Sequence, residues 1–342
     1  MTDHSPAHSW HWPAFAVIFG GIAAFVIWDE RSGPDATTWM TSLACSVVGL
    51  VVLPQWLRPK QEPDGQQDLQ DSYEDSLIQF LPDGDPTVPA EYDNSVFWRG
   101  RTHIWTGDYE AALKDFTEVN ERSPDRSDAC FWWGFALLKT GSYEPAIAAF
   151  SKAIKVDPNF RLAWFFRGRA RGKTGDYASA ITDLDEAEKI TGFDESIEVA
   201  PEEFAVVVYS ERGKVHFENG NYDAAIGDFT RVIVAPPQLA YAYRERGKSH
   251  FEKRDDESAI RDLKDAVRLD PTDGDAHFWI GRSSLRIGDY DSAIEHFTEA
   301  IDNGKRDYFY CWFGLASAHL MKDENDSAVK FFSQAIRIDE RQ

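Results

Sequence analysis

Histidine, cysteine and carboxylate side chains are the residues of this 342-residue chain that could carry catalysis or bind a metal. His4, His8 and His11 have a crude metal-ligand spacing, but no cysteine or carboxylate accompanies them in a segment with a defined fold. The chain has three cysteines, too few for a disulfide framework. It has no glycine-rich phosphate loop and no Gly-x-Ser-x-Gly motif. The sequence therefore predicts no enzymatic activity, no metal and no cofactor.

Noncovalent binding is suggested instead by phenylalanine and basic residues that recur four positions apart. Phe97 precedes Arg101 and Phe165 precedes Arg169, a spacing that keeps each pair on one side of a helix. Arginine binds carboxylates through two parallel hydrogen bonds and phenylalanine supplies apolar contact area, so the combination suits acidic peptide segments. The predicted binding residues are Phe97, Arg101, Phe131, Phe165, Arg169, Lys173, Lys214, Lys248, Phe278, Arg282 and Arg286.

The charges at these positions differ in their predicted availability. Lys214 and Lys248 each precede a glutamate by four residues, which is a favourable pair on a helix. Arg169 precedes Lys173 by four residues and Arg282 precedes Arg286 by four, so these positive charges are predicted to be uncompensated. The alternative is that all these positions are ordinary solvated ones and that the phenylalanines pack between neighbouring structural units.

An internal repeat of about 34 residues must position these side chains. Its most regular feature is an alanine, found at Ala112, Ala146, Ala180, Ala225, Ala259, Ala293 and Ala328. Twelve residues before each of the first six alanines lies a glycine, and four residues after every one lies Phe or Leu. Each unit is therefore predicted to contain two helices that approach each other closely at these small residues. One such hairpin cannot bury its apolar face alone, so the units must stack.

The period and the recurring Gly–Tyr–Ala–Phe–Pro pattern, in turns such as TGDYEAA and TGSYEPA, resemble the tetratricopeptide repeat family. The resemblance implies an all-α solenoid of seven units beginning at Asp93, Ser127, Arg161, Val206, Ala240, Gly274 and Phe309. In this family one face of the first helices lines a concave groove, so the resemblance implies that the predicted binding residues lie there and bind peptide segments of partner proteins. Eleven inserted residues, 195–205, are a candidate boundary between a block of three and a block of four units.

A correlated pair of residues distinguishes four of the seven units. These four have arginine just before the repeat glycine and aspartate sixteen residues later, and the other three units have neither. The pairs are Arg99 with Asp115, Arg167 with Asp183, Arg212 with Asp228 and Arg246 with Asp262. We predict that each pair joins the two helices of its hairpin, although shared ancestry of the repeats is an alternative explanation of the correlation.

Two uncharged apolar runs, residues 13–28 and 37–57, precede the repeats. A membrane-spanning helix needs ~20 apolar residues, a length that the second run meets and the first meets only marginally. Five tryptophans lie near the ends of these runs, as is typical of membrane interfaces. We predict a two-helix transmembrane hairpin in residues 1–57. The alternatives are a cleaved signal peptide, which would need a basic start that residues 1–12 lack, and a buried soluble hairpin.

Charge is distributed unevenly along the chain, which has a formal net charge of −22. Residues 61–92 contain nine acidic residues and no lysine or arginine, which indicates an acidic linker over 58–92. A minority interpretation is that this segment occupies the basic groove. The negative charge argues against nucleic acid as a partner. Arg58 and Lys60 follow the second apolar run, so the positive-inside rule predicts a cytoplasmic solenoid.

The sequence as a whole predicts an integral membrane protein that acts as an interaction scaffold for other proteins. Because no capping helix follows the last repeat in the sequence, we also expect contact with a partner or a second copy through the C-terminal repeat. Two alternatives remain open at this stage. One is a self-associating structural solenoid, and the other is an accessory subunit of a membrane protein complex.

Overall fold

A computed structural model describes residues 93–190, 201–235, 238–306 and 308–340. In these ranges the chain is helical, with no β-strand. The helices are α1 Asp93–Trp105, α2 Tyr109–Arg122, α3 Ser127–Lys139, α4 Tyr143–Val156, α5 Arg161–Thr174, α6 Tyr177–Lys189, α7 Pro201–Glu218, α8 Tyr222–Val234, α9 Ala240–Glu252, α10 Asp256–Leu269, α11 Gly274–Ile287, α12 Tyr290–Ala300, α13 Phe309–Met321 and α14 Asn325–Asp339. Two helices fall in each predicted unit, so the predicted all-α class is confirmed.

The predicted membrane segment is not among these residues. The transmembrane hairpin, residues 1–57, and the acidic linker, residues 58–92, both lie outside the described ranges. Of the helices in the described ranges, none combines the length and the apolar character needed to cross a bilayer. The membrane anchor and the cytoplasmic localisation therefore stay predictions.

Each hairpin turns through a residue with a left-handed backbone. In the third unit Gly175 has a φ of 83° and ends α5, and Asp176 then caps α6 by accepting a hydrogen bond from the Ser179 N–H. Glycine tolerates this conformation because it has no Cβ. In the fifth unit, where the turn reads KRDD, Arg254 takes the same conformation with a φ of 66°. The turn residues therefore fix where each hairpin bends.

The two helices of a hairpin touch at the repeat glycine. A Cβ atom added to Gly247 would lie 2.7 Å from Leu263 Cγ and 3.2 Å from the carbonyl oxygen of Ala259. All six repeat glycines face the Phe or Leu of their second helix in this way. The predicted close approach is therefore confirmed, and the glycines serve packing rather than binding.

All four predicted Arg–Asp pairs form, Arg99 with Asp115, Arg167 with Asp183, Arg212 with Asp228 and Arg246 with Asp262. Arg167 donates to both carboxylate oxygens of Asp183, at 2.9 and 2.7 Å. It also donates to Ser151 Oγ of the preceding unit at 3.0 Å. Arg212 likewise reaches Asp185 of the preceding unit at 2.6 Å. These arginines therefore join successive units as well as the helices of one hairpin.

Successive hairpins stack with their first helices in one row. Each first helix contacts the first helix of the next unit, and each second helix packs against the first helix that follows it. Among the described residues the buried apolar side chains form two clusters, one running from Val96 to Val215 and the other beginning at Tyr243. The row of first helices is the element that positions the predicted binding residues.

The insertion between the third and fourth units lengthens a helix. Helix α7 begins at Pro201, five residues before the predicted start at Val206. Proline is favourable in the first turn of a helix, and Phe204 is buried with its ring centroid 5.7 Å from that of Phe165. The apolar core is therefore continuous across the insertion. Among the described residues the first apolar cluster ends at Val215 in α7 and the second begins at Tyr243 in α9.

Candidate functional site

The predicted phenylalanine row belongs to the core. Phe97, Phe131, Phe165 and Phe278 are each at most 2% exposed. Phe165, for example, contacts Phe204 of the following unit. The prediction that these four side chains line a peptide groove is therefore corrected. These phenylalanines lie where one first helix packs against the next. The alternative interpretation, that they pack between neighbouring units, is therefore the correct one.

Three other positions of each first helix form a row that we call the inner face. They lie two residues before, one residue after and five residues after the repeat glycine, or after Ala316 in the seventh unit, a spacing that keeps them on one side of a helix. Side chains touch across unit boundaries here, since the Arg101 guanidinium lies 5.0 Å from the Trp132 ring centroid and Lys248 Nζ lies 6.0 Å from that of Trp279. The inner-face residues of the seven units are Trp98, Arg101 and Trp105; Trp132, Phe135 and Lys139; Phe166, Arg169 and Lys173; Glu211, Lys214 and Glu218; Glu245, Lys248 and Glu252; Trp279, Arg282 and Arg286; and Gly314, Ser317 and Met321.

At the first unit the inner face holds a cation among indole rings. Arg101 is 1% exposed, and its guanidinium lies 4.7 Å from the Trp98 ring centroid and 5.2 Å from that of Trp105. Such cation–π contacts contribute about 0.5–2 kcal/mol each. Arg101 therefore holds the first two units together. The surface left to a ligand at this end is Trp105, which is 57% exposed.

In the middle of the inner face opposite charges alternate. Glu245 is buried, and although burial alone would raise its pKa, Lys248 Nζ at 2.8 Å and the Arg244 guanidinium at 3.3 Å bring that pKa to about 2. Glu211 is also buried, and Arg169 at 3.8 Å is the first of the cations that hold its pKa below the ordinary value against the effect of burial. Arg169 is thus not uncompensated, which corrects the prediction. Both glutamates occupy the position two residues before the repeat glycine, which the four-residue spacing of phenylalanine and basic residues does not include.

Arg282 differs from the other inner-face cations in its surroundings. Its guanidinium lies 4.6 Å from the ring centroids of both Phe251 and Trp279. Burial lowers the pKa of this guanidinium. Among the described residues, none accepts a hydrogen bond from Arg282 or forms an ion pair with it. A guanidinium on an aromatic platform with unused donors can bind a carboxylate through two parallel hydrogen bonds.

Lys214 lies beside Glu211 and Glu245 and helps to lower the pKa of both carboxyls, whereas Arg286 and Lys173 have contrasting environments. Arg286 Nε donates to Asp256 Oδ1 of the preceding unit at 2.8 Å, and its Nη2 donates to the Phe251 carbonyl at 2.7 Å. The prediction that Arg286 is uncompensated is therefore corrected. Lys173 is exposed and forms no ion pair with the residues that the structure describes, although its charge contributes to the lowered pKa of Glu211. Arg282 and Lys173 are thus the predicted cations that the fold leaves available to a ligand.

The described ranges contain no group of three or more His, Cys, Asp or Glu side chains that could hold a metal ion. The two cysteines in those ranges, Cys130 and Cys311, are both buried, and burial raises the pKa of each thiol. A thiol held protonated in an apolar environment is a poor nucleophile. The inner face instead provides groups for noncovalent binding, namely aromatic surface, alternating buried charges and two available cations.

Stacked helical hairpins whose first helices share one continuous face define an α-solenoid repeat protein, a class that binds through extended surfaces. The family model of the tetratricopeptide repeat matches residues 99–154, 133–195, 210–274, 245–308 and 280–342. These matches cover most of the described helices, so the chain belongs to the tetratricopeptide repeat family. The resemblance inferred from the sequence is confirmed. Comparison with curated protein sequences gives no match.

Solved structures of other repeat proteins are similar in fold. The C-terminal part of a TPR repeat-containing protein from Cytophaga hutchinsonii is 14% identical, and the match covers 72% of this chain and 96% of that one with a TM-score of 0.57. The Cut9–Hcn1 hetero-tetramer of APC/C is 16% identical over 74% of this chain and 46% of that one, with a TM-score of 0.51. MamA from Desulfovibrio magneticus is 23% identical over 53% of this chain and 96% of that one, with a TM-score of 0.46. At these identities the similarity to the first two structures shows the fold alone.

Proposed function

We propose that this chain is a membrane-tethered interaction scaffold that binds acidic peptide segments of partner proteins along its inner face. The observation that carries the proposal is Arg282, a partly desolvated guanidinium with unused hydrogen-bond donors. A carboxylate bound there gains a charge-assisted, two-bond contact. The Phe251 and Trp279 rings beneath the guanidinium fix its plane, so little conformational entropy is lost when the carboxylate binds.

Neighbouring aromatic side chains support the same interpretation. Tyr308 and Tyr310 lie close enough to Arg282 to interact with it electrostatically. Burial raises the pKa of both phenols, so their hydroxyl groups stay protonated and able to donate hydrogen bonds. A peptide carboxylate on Arg282 would therefore meet hydroxyl donors and apolar ring edges together. This combination favours an acidic residue next to an apolar or aromatic one in the ligand.

Peptide selection on the purified full-length chain tests the proposal. Random twelve-residue peptides displayed on phage are selected for binding, and the recovered peptides are measured against Arg282→Gln by fluorescence anisotropy. We expect enrichment of Asp and Glu, and at least tenfold weaker binding to the variant, because a bond to a charged group contributes about 1.5–3 kcal/mol. Arg261→Gln is the matched control, since Arg261 is an exposed arginine of α10. Peptides without acidic enrichment, or equal binding to both variants, would refute the proposal.

The tether is proposed from the two apolar runs, 13–28 and 37–57, with the solenoid on the cytoplasmic side. Alkaline carbonate extraction of native membranes should leave the full-length chain in the membrane pellet. Protease added to sealed, right-side-out vesicles should leave the solenoid intact, and detergent should expose it. Release of the chain by carbonate would exclude the membrane anchor. Digestion of the solenoid without detergent would show that it lies on the opposite side of the membrane.

A self-associating solenoid is the second candidate, because large apolar side chains are exposed on the last unit. Phe313, Met321 and Val329, on α13 and α14, are 36–37% exposed. Sedimentation of the full-length chain in detergent should then give a concentration-dependent dimer that Val329→Asp abolishes. A monomer at every concentration would exclude this candidate and leave the peptide-binding proposal unaffected.

A further inference from the structure

Glu252 is an inner-face residue whose charge the fold leaves unused. The sequence predicts that Lys248, four residues earlier on the same helix, compensates it. Lys248 Nζ instead donates to Glu245 Oε2 at 2.8 Å. Glu252 is half-buried, and none of the residues that the structure describes forms an ion pair or a hydrogen bond with its side chain. Its carboxylate is therefore available to a cation of a ligand.

Glu252 and Arg282 lie near each other on neighbouring units without touching. Burial lowers the pKa of the Arg282 guanidinium, and the negative charge of Glu252 is the strongest influence that opposes this lowering. The two side chains nevertheless form no ion pair with each other, so their charged atoms lie beyond the ~4 Å of a direct contact. The guanidinium lies instead against the Phe251 and Trp279 rings, 4.6 Å from each centroid. The inner face thus presents a carboxylate and a guanidinium side by side, both without a partner in the described part of the chain.

We propose that Glu252 and Arg282 together bind a peptide in which a basic and an acidic residue lie two positions apart. The acidic side chain binds Arg282 and the basic side chain binds Glu252. Residues two positions apart in an extended peptide point to the same side and are ~6.6 Å apart, which suits two groups that are close but not in contact. Adjacent residues point to opposite sides, so only one of their charges could bind.

The inference rests on the proposed function, because it specifies the kind of peptide that the Arg282 site binds. A peptide that carries only acidic residues brings negative charge close to Glu252 and is repelled by it. A basic residue beside the bound acid converts this repulsion into attraction. Glu252 therefore makes the site selective for segments of mixed charge over uniformly acidic ones.

Synthetic twelve-residue peptides test the spacing on the purified full-length chain by fluorescence anisotropy. Each contains one glutamate in a background of glycine, serine and phenylalanine, with a lysine two positions away, a lysine at the adjacent position, or a glutamine two positions away. Both orders of the two residues are made, since the direction of the bound peptide decides the order. We expect the lysine two positions away to give about fivefold tighter binding than the other two peptides, and 1 M salt to remove the difference. Equal binding of all three peptides at low salt would overturn the proposal.

Charge reversal tests whether the basic residue binds Glu252. Glu252→Lys should weaken binding of the best peptide at least tenfold, and replacement of the peptide's lysine by glutamate should restore binding to this variant. Glu257→Lys is the matched control, since Glu257 is an exposed glutamate of the same unit on the second helix, α10. An equal loss with Glu257→Lys, or a loss that the reversed peptide does not restore, would overturn the assignment.

The same peptides separate this inference from the proposed function. If the peptide with glutamine binds as tightly as the one with lysine, and both lose affinity for Arg282→Gln, the inference fails and the proposed function stands. If no peptide loses affinity for Arg282→Gln, both fail.

Discussion

Replacement of Asp183 tests whether the repeated Arg–Asp pairs stabilise the solenoid. Its side chain is 1% exposed and accepts hydrogen bonds from Arg167 at 2.7 and 2.9 Å and from Arg171 at 2.8 Å. Asp183→Ala leaves two guanidinium groups, 12% and 24% exposed, without the carboxylate that holds them. Removal of one partner from a buried ion pair costs ~3–5 kcal/mol, and we expect the free energy of unfolding to fall by that amount.

Asp115 is the matched control because it occupies the same repeat position. Its partner Arg99 is 57% exposed and can turn to water when the carboxylate is removed. An exposed pair contributes only ~0.2–1 kcal/mol, so Asp115→Ala should cost correspondingly little. The expected difference between the two variants is therefore ~2–4 kcal/mol. The substitution is the same at both sites, but the sites differ in the burial of the arginines and in their number, two at Asp183 and one at Asp115.

Urea unfolding of the full-length chain at 25 °C, followed by far-ultraviolet circular dichroism, measures this difference. Long repeat arrays can unfold in parts, so hydrogen exchange of α5 and α6 should be recorded alongside. Asp183→Ala should accelerate exchange in both helices, whereas Asp115→Ala should leave them unchanged. If the two variants lose equal stability, burial of the arginines does not decide the strength of these pairs and the reasoning is refuted.

Two further predictions concern acid sensitivity and packing. His296 Nδ1 lies 3.0 Å from His277 Nδ1, and burial, with a further contribution from His277, lowers the pKa of His296 to about 4. Neutral His296 therefore stabilises the fold fully above the unfolded-state pKa of about 6.5, and this stabilisation is lost as the pH falls towards 4. His296→Gln should reduce the fall in the urea midpoint between pH 7 and pH 5, and an undiminished fall would contradict the assignment. Gly314→Ala should lower the free energy of unfolding by ~1–3 kcal/mol because the new Cβ atom would overlap the Phe297 ring. Gly227→Ala, whose Cβ atom would meet open space, should be neutral or slightly stabilising. Equal urea midpoints for the two variants would show that the Phe297 ring moves aside without cost.

The repeat made most of the fold predictable. Seven copies of one pattern show which positions must be small, where each hairpin turns and which residues vary together. The pairing of Arg167 with Asp183 could be inferred because three other units repeat the same combination sixteen residues apart. The start of α7 could not be inferred in this way, because the insertion before it has no second copy. Only the burial of Phe204 against Phe165 shows why that helix begins early.

The inner face was less predictable because the sequence does not specify how successive units are rotated. That rotation decides which side of a first helix meets its neighbour and which side stays accessible. Phe165 and Arg169 lie on the same side of a helix by spacing, yet Phe165 is fully buried and Arg169 meets Glu211 of the next unit. A contact between units joins residues that no single-helix pattern relates. Alignment of all inner-face positions, including the one that carries Glu211, would have revealed the compensation.

The charge pattern of the inner face restricts the peptide that could bind along it. Lys173 and Arg282 are the available cations, and they lie three units apart with Glu218 and Glu252 between them. Packed helices are ~8–10 Å apart, so three units separate the two cations by roughly 30 Å, the length of about nine extended residues. A uniformly acidic peptide would be repelled by the intervening glutamates. A peptide that binds both cations should therefore carry its carboxylates near its two ends and neutral or basic residues between them.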